Sequence, residues 1–158
     1  MGMLNILLVD DDRNLVTTLS HGLHKALGEA ISVAVCSNGA EALSMLATQA
    51  FHVVVSDHNM PGPSGLELLS RIRKDHREII LVLITAFGTD VLEEGVSQLG
   101  GGYITKPFEP SFLAQLIKVL IQDEEIKSKP EHASRIMDKL GKPAGSSQSI
   151  NLEGRLLE

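Results

Sequence analysis

The sequence predicts an α/β fold: a doubly wound, five-stranded parallel sheet with helices on both faces, over residues 3–122, followed by a short C-terminal extension over residues 123–158. Two observations carry this. Short aliphatic runs alternate five times with segments whose apolar residues recur every three to four positions. The runs are apolar throughout, as strands are when helices cover both faces of a parallel sheet.

The elements follow in order. Leu4–Val9 is an apolar run bounded by acids and reads as a buried strand. Leu15, Leu19, Leu23 and Leu27, with Val16 and Ala26 beside them, form one face of a helix that closes near Gly28. Ile31–Cys36 is rich in β-branched residues and reads as the second strand. Asn38-Gly39 reads as a turn, and Ala40, Leu43, Leu46 and Ala47 mark a short helix. Phe51–Val55 is the third strand. Met60–Gly65 is dense in loop-forming residues. Ser64 with Glu67 predicts a capping box on a third helix, whose inner face holds Leu68, Leu69 and Ile72. Ile79–Ile84, six aliphatic residues, is the clearest strand. Val91, Leu92, Val96 and Leu99 suggest the fourth helix, and Tyr103–Thr105 the short fifth strand. Phe112, Leu113, Leu116, Ile117, Leu120 and Ile121 make a strongly amphipathic fifth helix, part of whose stripe could stay open to a partner. In the extension, Glu131–Leu140 could form one short helix, and Ala144–Ser149 reads as a flexible polar stretch.

Composition excludes several classes. The 158 residues are enough to bury a core without staples, and aromatics at 3% make that core aliphatic. A single cysteine, Cys36, cannot form an internal disulfide and suits a reducing compartment. No apolar run reaches the length of a membrane span, and the N-terminus lacks the basic region of a signal peptide, so a soluble cytoplasmic protein without membrane attachment is expected. The net charge of −6 argues against direct nucleic-acid binding by this chain. Residues 1–122 hold 13 acidic against 8 basic residues, so the imbalance lies in the sheet-forming part.

In a parallel sheet of this kind the site lies beyond the carboxyl ends of the strands. The first strand ends in Asp10-Asp11-Asp12, the third in Ser56-Asp57, the fourth in Thr85-Ala86 and the fifth in Thr105-Lys106-Pro107-Phe108. A parallel sheet brings these ends to one edge. Crowded carboxylates repel and hold their protons, and a hard divalent cation relieves this. Oxygen ligands alone favour Mg²⁺. The sequence Asp10-x-Asp12-x-Asn14 mimics the start of a calcium-binding EF-hand loop, but Leu15 stands where that loop requires glycine. His21, His24 and Cys36 lack the paired spacing of a zinc site.

This constellation resembles the receiver domain of two-component response regulators. The motifs are the acidic pair after the first strand, Asp57 followed by Met60-Pro61-Gly62, Thr85-Ala86, and Lys106-Pro107-Phe108, in order and near the family's spacing. The resemblance covers about residues 3–122 and implies a flavodoxin-like (βα)5 arrangement. It implies that Asp57 is the phosphoacceptor. Asp11 and Asp57 would ligate Mg²⁺ with the backbone carbonyl of Asn59, and Asp10 would bind largely through water. Thr85 would bond the phosphoryl group, Lys106 would pair with it across a cis Lys106–Pro107 bond, and Tyr103 would be the switch aromatic beside Thr85. The implied partner is a sensor histidine kinase or a phosphotransfer protein. A homodimer through the face of the fourth helix, fifth strand and fifth helix is a further expectation.

The sequence departs from the family's pattern at three places. Ser64 stands where Asp is frequent and caps a helix about as well. Gly100-Gly101-Gly102 shortens the loop before Tyr103 by one residue. Phe87 is a bulky apolar group where polar residues are common, and is expected to shield an acyl phosphate from water. Two other functions are weighed against the receiver reading. An aspartate-nucleophile, Mg²⁺-dependent phosphohydrolase needs an acid two residues after the nucleophile, where this chain has Asn59. A pseudo-receiver that only binds partners would not need the complete acidic set. The 36 residues from 123 onward are too few for a usual DNA-binding domain; a stand-alone receiver and a piece of a longer regulator remain equal readings.

Overall fold

Each aliphatic run becomes a strand because its side chains find apolar partners on both sides. In the computed structural model, which describes residues 2–122 together with 129, 149–150 and 156–157, the strands are β1 (Leu4–Val9), β2 (Ile31–Cys36), β3 (Val53–Asp57), β4 (Ile80–Thr85) and β5 (Gly102–Thr105). All pair in parallel, in the order β2-β1-β3-β4-β5. The winding reverses between β1 and β3, which opens a crevice at their carboxyl ends. Register fixes what faces it: Val9 pairs with Ser56, Asp57 with Ile84, and Thr85 with Thr105. Asp10, Asp57, Thr85 and Lys106 therefore share one edge.

The helices are α1 (Arg13–Leu27), α2 (Gly39–Thr48), α3 (Gly65–Asp75), α4 (Asp90–Gln98) and α5 (Pro110–Gln122). Alternate strand residues build two cores. Ile6, Leu8, Val53, Val55, Val82 and Ile84 pack under α1 and α5. Leu7, Val9, Val54, Leu81 and Leu83 pack under α2, α3 and Val96 of α4. The helices α1 and α5 touch at Gly22, where a Cβ would overlap Pro110.

Several elements differ from the sequence reading for tertiary reasons. β3 starts at Val53 rather than Phe51, and β4 runs from Ile80 to Thr85. Asn38-Gly39 is not a free turn: the Asn38 side chain accepts from the Glu41 amide and caps α2, and Gly39 is its first residue. The inner face of α2 is Gly39, Ala42 and Leu46, so Ala40 and Ala47 are exposed. Only half of the capping box on α3 forms. Ser64 Oγ accepts from the Glu67 amide at 3.2 Å, without a return bond from Glu67 among the described residues. Val91 is 78% exposed and lies off the inner face of α4. Edge position leaves Val35 of β2 47% exposed. The α5 stripe is core: Leu113, Leu116, Ile117 and Leu120 are fully covered, and only Phe112 and Ile121 are half-buried. That leaves little of α5 for a partner. In the extension, Ser149–Ile150 and Leu156–Leu157 pair as short antiparallel strands, whereas the helix expected at 131–140 lies outside the described residues.

Candidate functional site

The three consecutive aspartates do three different things. The Asp10 amide donates to Cys36 O at 3.1 Å, which continues the β1–β2 pairing and fixes where the turn begins. Asp12 caps α1, accepting from the Leu15 amide at 3.1 Å. The Asp12 amide in turn donates to Asp10 Oδ1 at 2.9 Å and aims that carboxylate into the crevice. Asp11 between them is exposed and has no structural task among the described residues.

Asp57 closes β3 and is 5% exposed. Its backbone is held from two sides. The buried Ser56 hydroxyl donates to Asp57 O at 2.9 Å, and the first residue of α3, Gly65, lies so close that a Cβ would overlap that same oxygen. Thr85 ends β4, fully buried, and its hydroxyl accepts from the Phe87 amide at 3.2 Å. The Lys106 amide donates to Thr85 O at 2.8 Å, and the Lys106–Pro107 bond is cis. The Lys106 ammonium reaches between β1 and β3, 3.4 Å from Asp10 Oδ2 and 3.2 Å from Asp57 Oδ1.

Carboxylate oxygens of Asp10, Asp11 and Asp57 lie within 4.8 Å of one another. One ammonium faces three carboxylates, so the pocket is short of positive charge. Asp57 Oδ1 shows the deficit: it is buried, and its ion pair with Lys106 does not have hydrogen-bond geometry. Burial, opposed by the Asp12 amide and aided by Asp57, holds the Asp10 carboxyl above its usual range. A divalent cation with oxygen ligands fits this donor set. Asn59 is exposed two residues beyond Asp57, in the same loop.

Two predictions arise here. Asp12→Ala removes a helix cap and costs about 1 kcal/mol of stability in urea unfolding without weakening Mg²⁺ binding. Asp11→Asn does the reverse, leaving stability unchanged and losing Mg²⁺-dependent amide shifts at residues 10–12 and 57–59. The second concerns pH. Because the folded state holds the Asp10 proton more tightly than the unfolded chain, the contribution of Asp10 to the stability of the metal-free protein is lost as pH rises from 3.8 through the higher folded value. The difference in urea midpoint between Asp10→Asn and wild type therefore grows across that window. A constant difference would contradict the assignment of the charge deficit to Asp10.

The other expected residues are placed as follows. Tyr103 is half-buried, with its hydroxyl turned onto Gly88, where a Cβ would overlap it. That hydroxyl is buried without a hydrogen-bond partner among the described residues, and burial pushes its pKa up. Phe87 corrects the sequence reading: at 80% exposed it points to solvent and does not shield the crevice. Burial also pushes the Cys36 thiol up to about 12, which leaves it an inert core residue. Sequence reasoning missed Gly65 and Gly88, whose roles depend on what packs against them. The Asp12 cap was missed as well, although an aspartate directly before an amphipathic segment is a signal for one.

Comparison with known proteins agrees with this geometry. The family model described as the response regulator receiver domain matches residues 6–118. The chain is 43% identical over 113 residues to the response regulator protein FleR of Pseudomonas aeruginosa, covering 71% of this chain but 23% of FleR. The chain thus spans about a quarter of that relative. Its fold is similar to the chemotaxis response regulator CheY4 of Vibrio cholerae, with a TM-score of 0.67 and 26% identity over 75% of this chain and 98% of that one. It is also similar to the response regulator TrrA of Thermotoga maritima, solved in complex with Mg²⁺–BeF, with a TM-score of 0.63 and 30% identity over 74% of this chain and 98% of TrrA. Receiver domains are signalling phosphoacceptors that bind Mg²⁺ at an acidic pocket and work with histidine kinases or phosphotransfer proteins. On the match over residues 6–118 and the five-stranded parallel sheet that carries it, the chain belongs to the response regulator receiver domain family.

Proposed function

We propose that this chain accepts a phosphoryl group on Asp57 from the phosphohistidine of a sensor histidine kinase or phosphotransfer protein, and changes conformation to control an output. The observation that carries this is Asp57 Oδ1: a buried carboxylate oxygen with no hydrogen bond among the described residues, faced by one ammonium and by two further carboxylates at cation-sharing distance. An Asp57 oxygen attacks phosphorus. The P–O bond forms, the P–N bond breaks, and the electron pair stays with the departing imidazole nitrogen. Such transfer is mainly positioning and charge neutralisation. Lys106 meets the developing charge from the β5 side, and the Thr85 hydroxyl donates to a phosphoryl oxygen while still accepting from Phe87. Asp11, Asp57 and the Asn59 carbonyl, with Asp10 through water, would hold Mg²⁺, which supplies positive charge to the phosphoryl oxygens when bound.

The phosphohydrolase alternative lacks its acid, because Asn59 cannot give up a proton at the leaving group. The complete acidic set is more than a pseudo-receiver requires. A homodimer would use the face of α4, β5 and α5; Phe87 and Val91 are its exposed apolar residues, and α5 contributes mainly Phe112 and Ile121. No described helix is long and apolar enough to cross a membrane, and we place the module in the cytoplasm. Its acidity makes direct nucleic-acid binding by this chain unfavourable, so any transcriptional output belongs to a further segment or a partner.

The test is exposure to acetyl phosphate with and without Mg²⁺, read by intact mass, beside turnover of p-nitrophenyl phosphate. The receiver reading expects one phosphoryl group, gained only with Mg²⁺, and no turnover. Sustained hydrolysis of the phosphomonoester would favour the phosphohydrolase, and no uptake would favour the pseudo-receiver.

A further inference from the structure

The face that moves in such a switch includes α4, and its two ends are held very differently. At the amino end the hold is light. Thr89 Oγ1 accepts from the Leu92 amide at 3.2 Å, the flanking residues 86–90 are all exposed, and a Cβ on Gly88 would have the side chains of Tyr103 and Thr105 as its nearest neighbours. At the carboxyl end one side chain reaches across from another helix. Arg73, in the last turn of α3, donates from Nε to Leu99 O, the cap of α4, at 2.7 Å. Its Nη1 lies 2.8–3.1 Å from the carbonyl oxygens of Ile79, His76 and Arg77, sharing its protons among them.

The chemistry of Arg73 suits both helix ends. The last carbonyls of a helix lack internal partners and carry partial negative charge. The guanidinium stands at the carboxyl end of its own helix and bonds the cap of the next, with α3, the start of β4 and α4 gathered on one rigid fork. Backbone beyond the cap is fixed as well. The Gly100 amide donates to Ser97 O at 2.9 Å and the Gly101 amide to Val96 O at 3.0 Å. Gly101 is wedged so tightly that a Cβ would stand 3.0 Å from Val96 Cγ1 and 3.2 Å from Leu81 O. The glycine run that reads in sequence as a loose loop is packed here, with only Gly100 at a positive φ of 71°.

We infer that Arg73 pins the carboxyl end of α4, so that α4 responds to the site by pivoting about Leu99–Gly101 with its Gly88 end leading. The pivot rests on the receiver reading; the pin does not. The backbone carbonyls that Arg73 holds, of Leu99, His76, Arg77 and Ile79, are not groups of the carboxylate pocket, and Arg73 acts as a positioning residue for the helix.

Amide hydrogen exchange tests both parts. In the metal-free protein, Arg73→Gln should speed exchange at Leu99, Gly100 and Gly101 by about tenfold, with Leu92 and Glu93 unchanged. Should Arg73→Gln fail to fold, Arg73→Lys keeps the stem and charge but not the fork, and should show a smaller acceleration at the same three amides. With Mg²⁺ and beryllofluoride, wild type should change at residues 86–93 and hold still at 99–101, whereas the variant should change at both. Unaltered exchange at 99–101 in the variants would overturn the pin. Equal response of 86–93 and 99–101 in wild type would overturn the pivot. A wild type that responds at neither 10–12 nor 57–59 would instead overturn the receiver reading and the pivot with it, and the metal-free comparison would still decide the pin.

Discussion

Lys106→Met lowers the rate of phosphoryl uptake from acetyl phosphate by about 10²–10³-fold, the loss seen when one preorganised donor to a developing charge is removed. The side chain is nearly isosteric, so the β4–β5 pairing and the Lys106 amide bond to Thr85 O survive. What goes is the ammonium 3.2 Å from Asp57 Oδ1 and 3.4 Å from Asp10 Oδ2. Two effects follow with opposite signs. The crowded carboxylates lose their cation, so the metal-free protein is destabilised and binds Mg²⁺ at least as well as wild type. The incoming phosphoryl oxygens lose a positive neighbour, so transfer slows at saturating Mg²⁺. Intact mass against time at several Mg²⁺ concentrations separates the two. Uptake restored to the wild-type rate by Mg²⁺ alone would mean that Lys106 only balances the resting charge.

The second large effect comes from a residue without a side chain. Gly65→Val places a Cβ on the carbonyl oxygen of Asp57 and 2.7 Å from Leu83 Cδ1. Leu83 can shift; a strand carbonyl that also accepts from Ser56 Oγ cannot shift without carrying Asp57 with it. Destabilisation of about 2–3 kcal/mol follows in urea unfolding, and phosphoryl uptake falls more than stability alone accounts for. Gly62→Ala is the control. Gly62 has a φ of 79° with nothing near its Cβ position. Its cost is therefore conformational, about 1 kcal/mol, and uptake by the folded protein is unchanged. Similar losses of uptake in both variants would show that the loop, not the wedge behind Asp57, sets the position of the carboxylate.

The site was legible in the sequence because strand ends are legible. Runs such as Ile79–Ile84 announce where a strand stops, and parallel pairing then puts Asp10, Asp57, Thr85 and Lys106 together whatever the helices do. Individual outward-facing residues were less legible. Val91 is apolar and correctly spaced for an inner face, but α4 presents only Val96 fully to the core, and Phe87, read as a shield for the site, lies exposed before the helix starts. Asn38-Gly39 has the composition of a turn and becomes a cap and a first helical residue, because the Asn38 side chain accepts from the Glu41 amide. The roles of Gly65, Gly88 and Gly101 were not legible, since a glycine's sequence context does not say whether it is there for its dihedrals or for the atom packed against it. Arg73 likewise reads as one more charge on an exposed helix, and only the approach of α4 gives its fork something to hold.

On the proposed function, the phosphoryl group goes to one buried carboxylate among several. After treatment with acetyl phosphate and Mg²⁺, borohydride reduces an aspartyl phosphate to homoserine, which peptide mass mapping then locates. Conversion is expected at Asp57 alone, absent in Asp57→Ala and absent without Mg²⁺. Conversion at Asp10 or Asp11, or a phosphoryl group retained by Asp57→Ala, would contradict it.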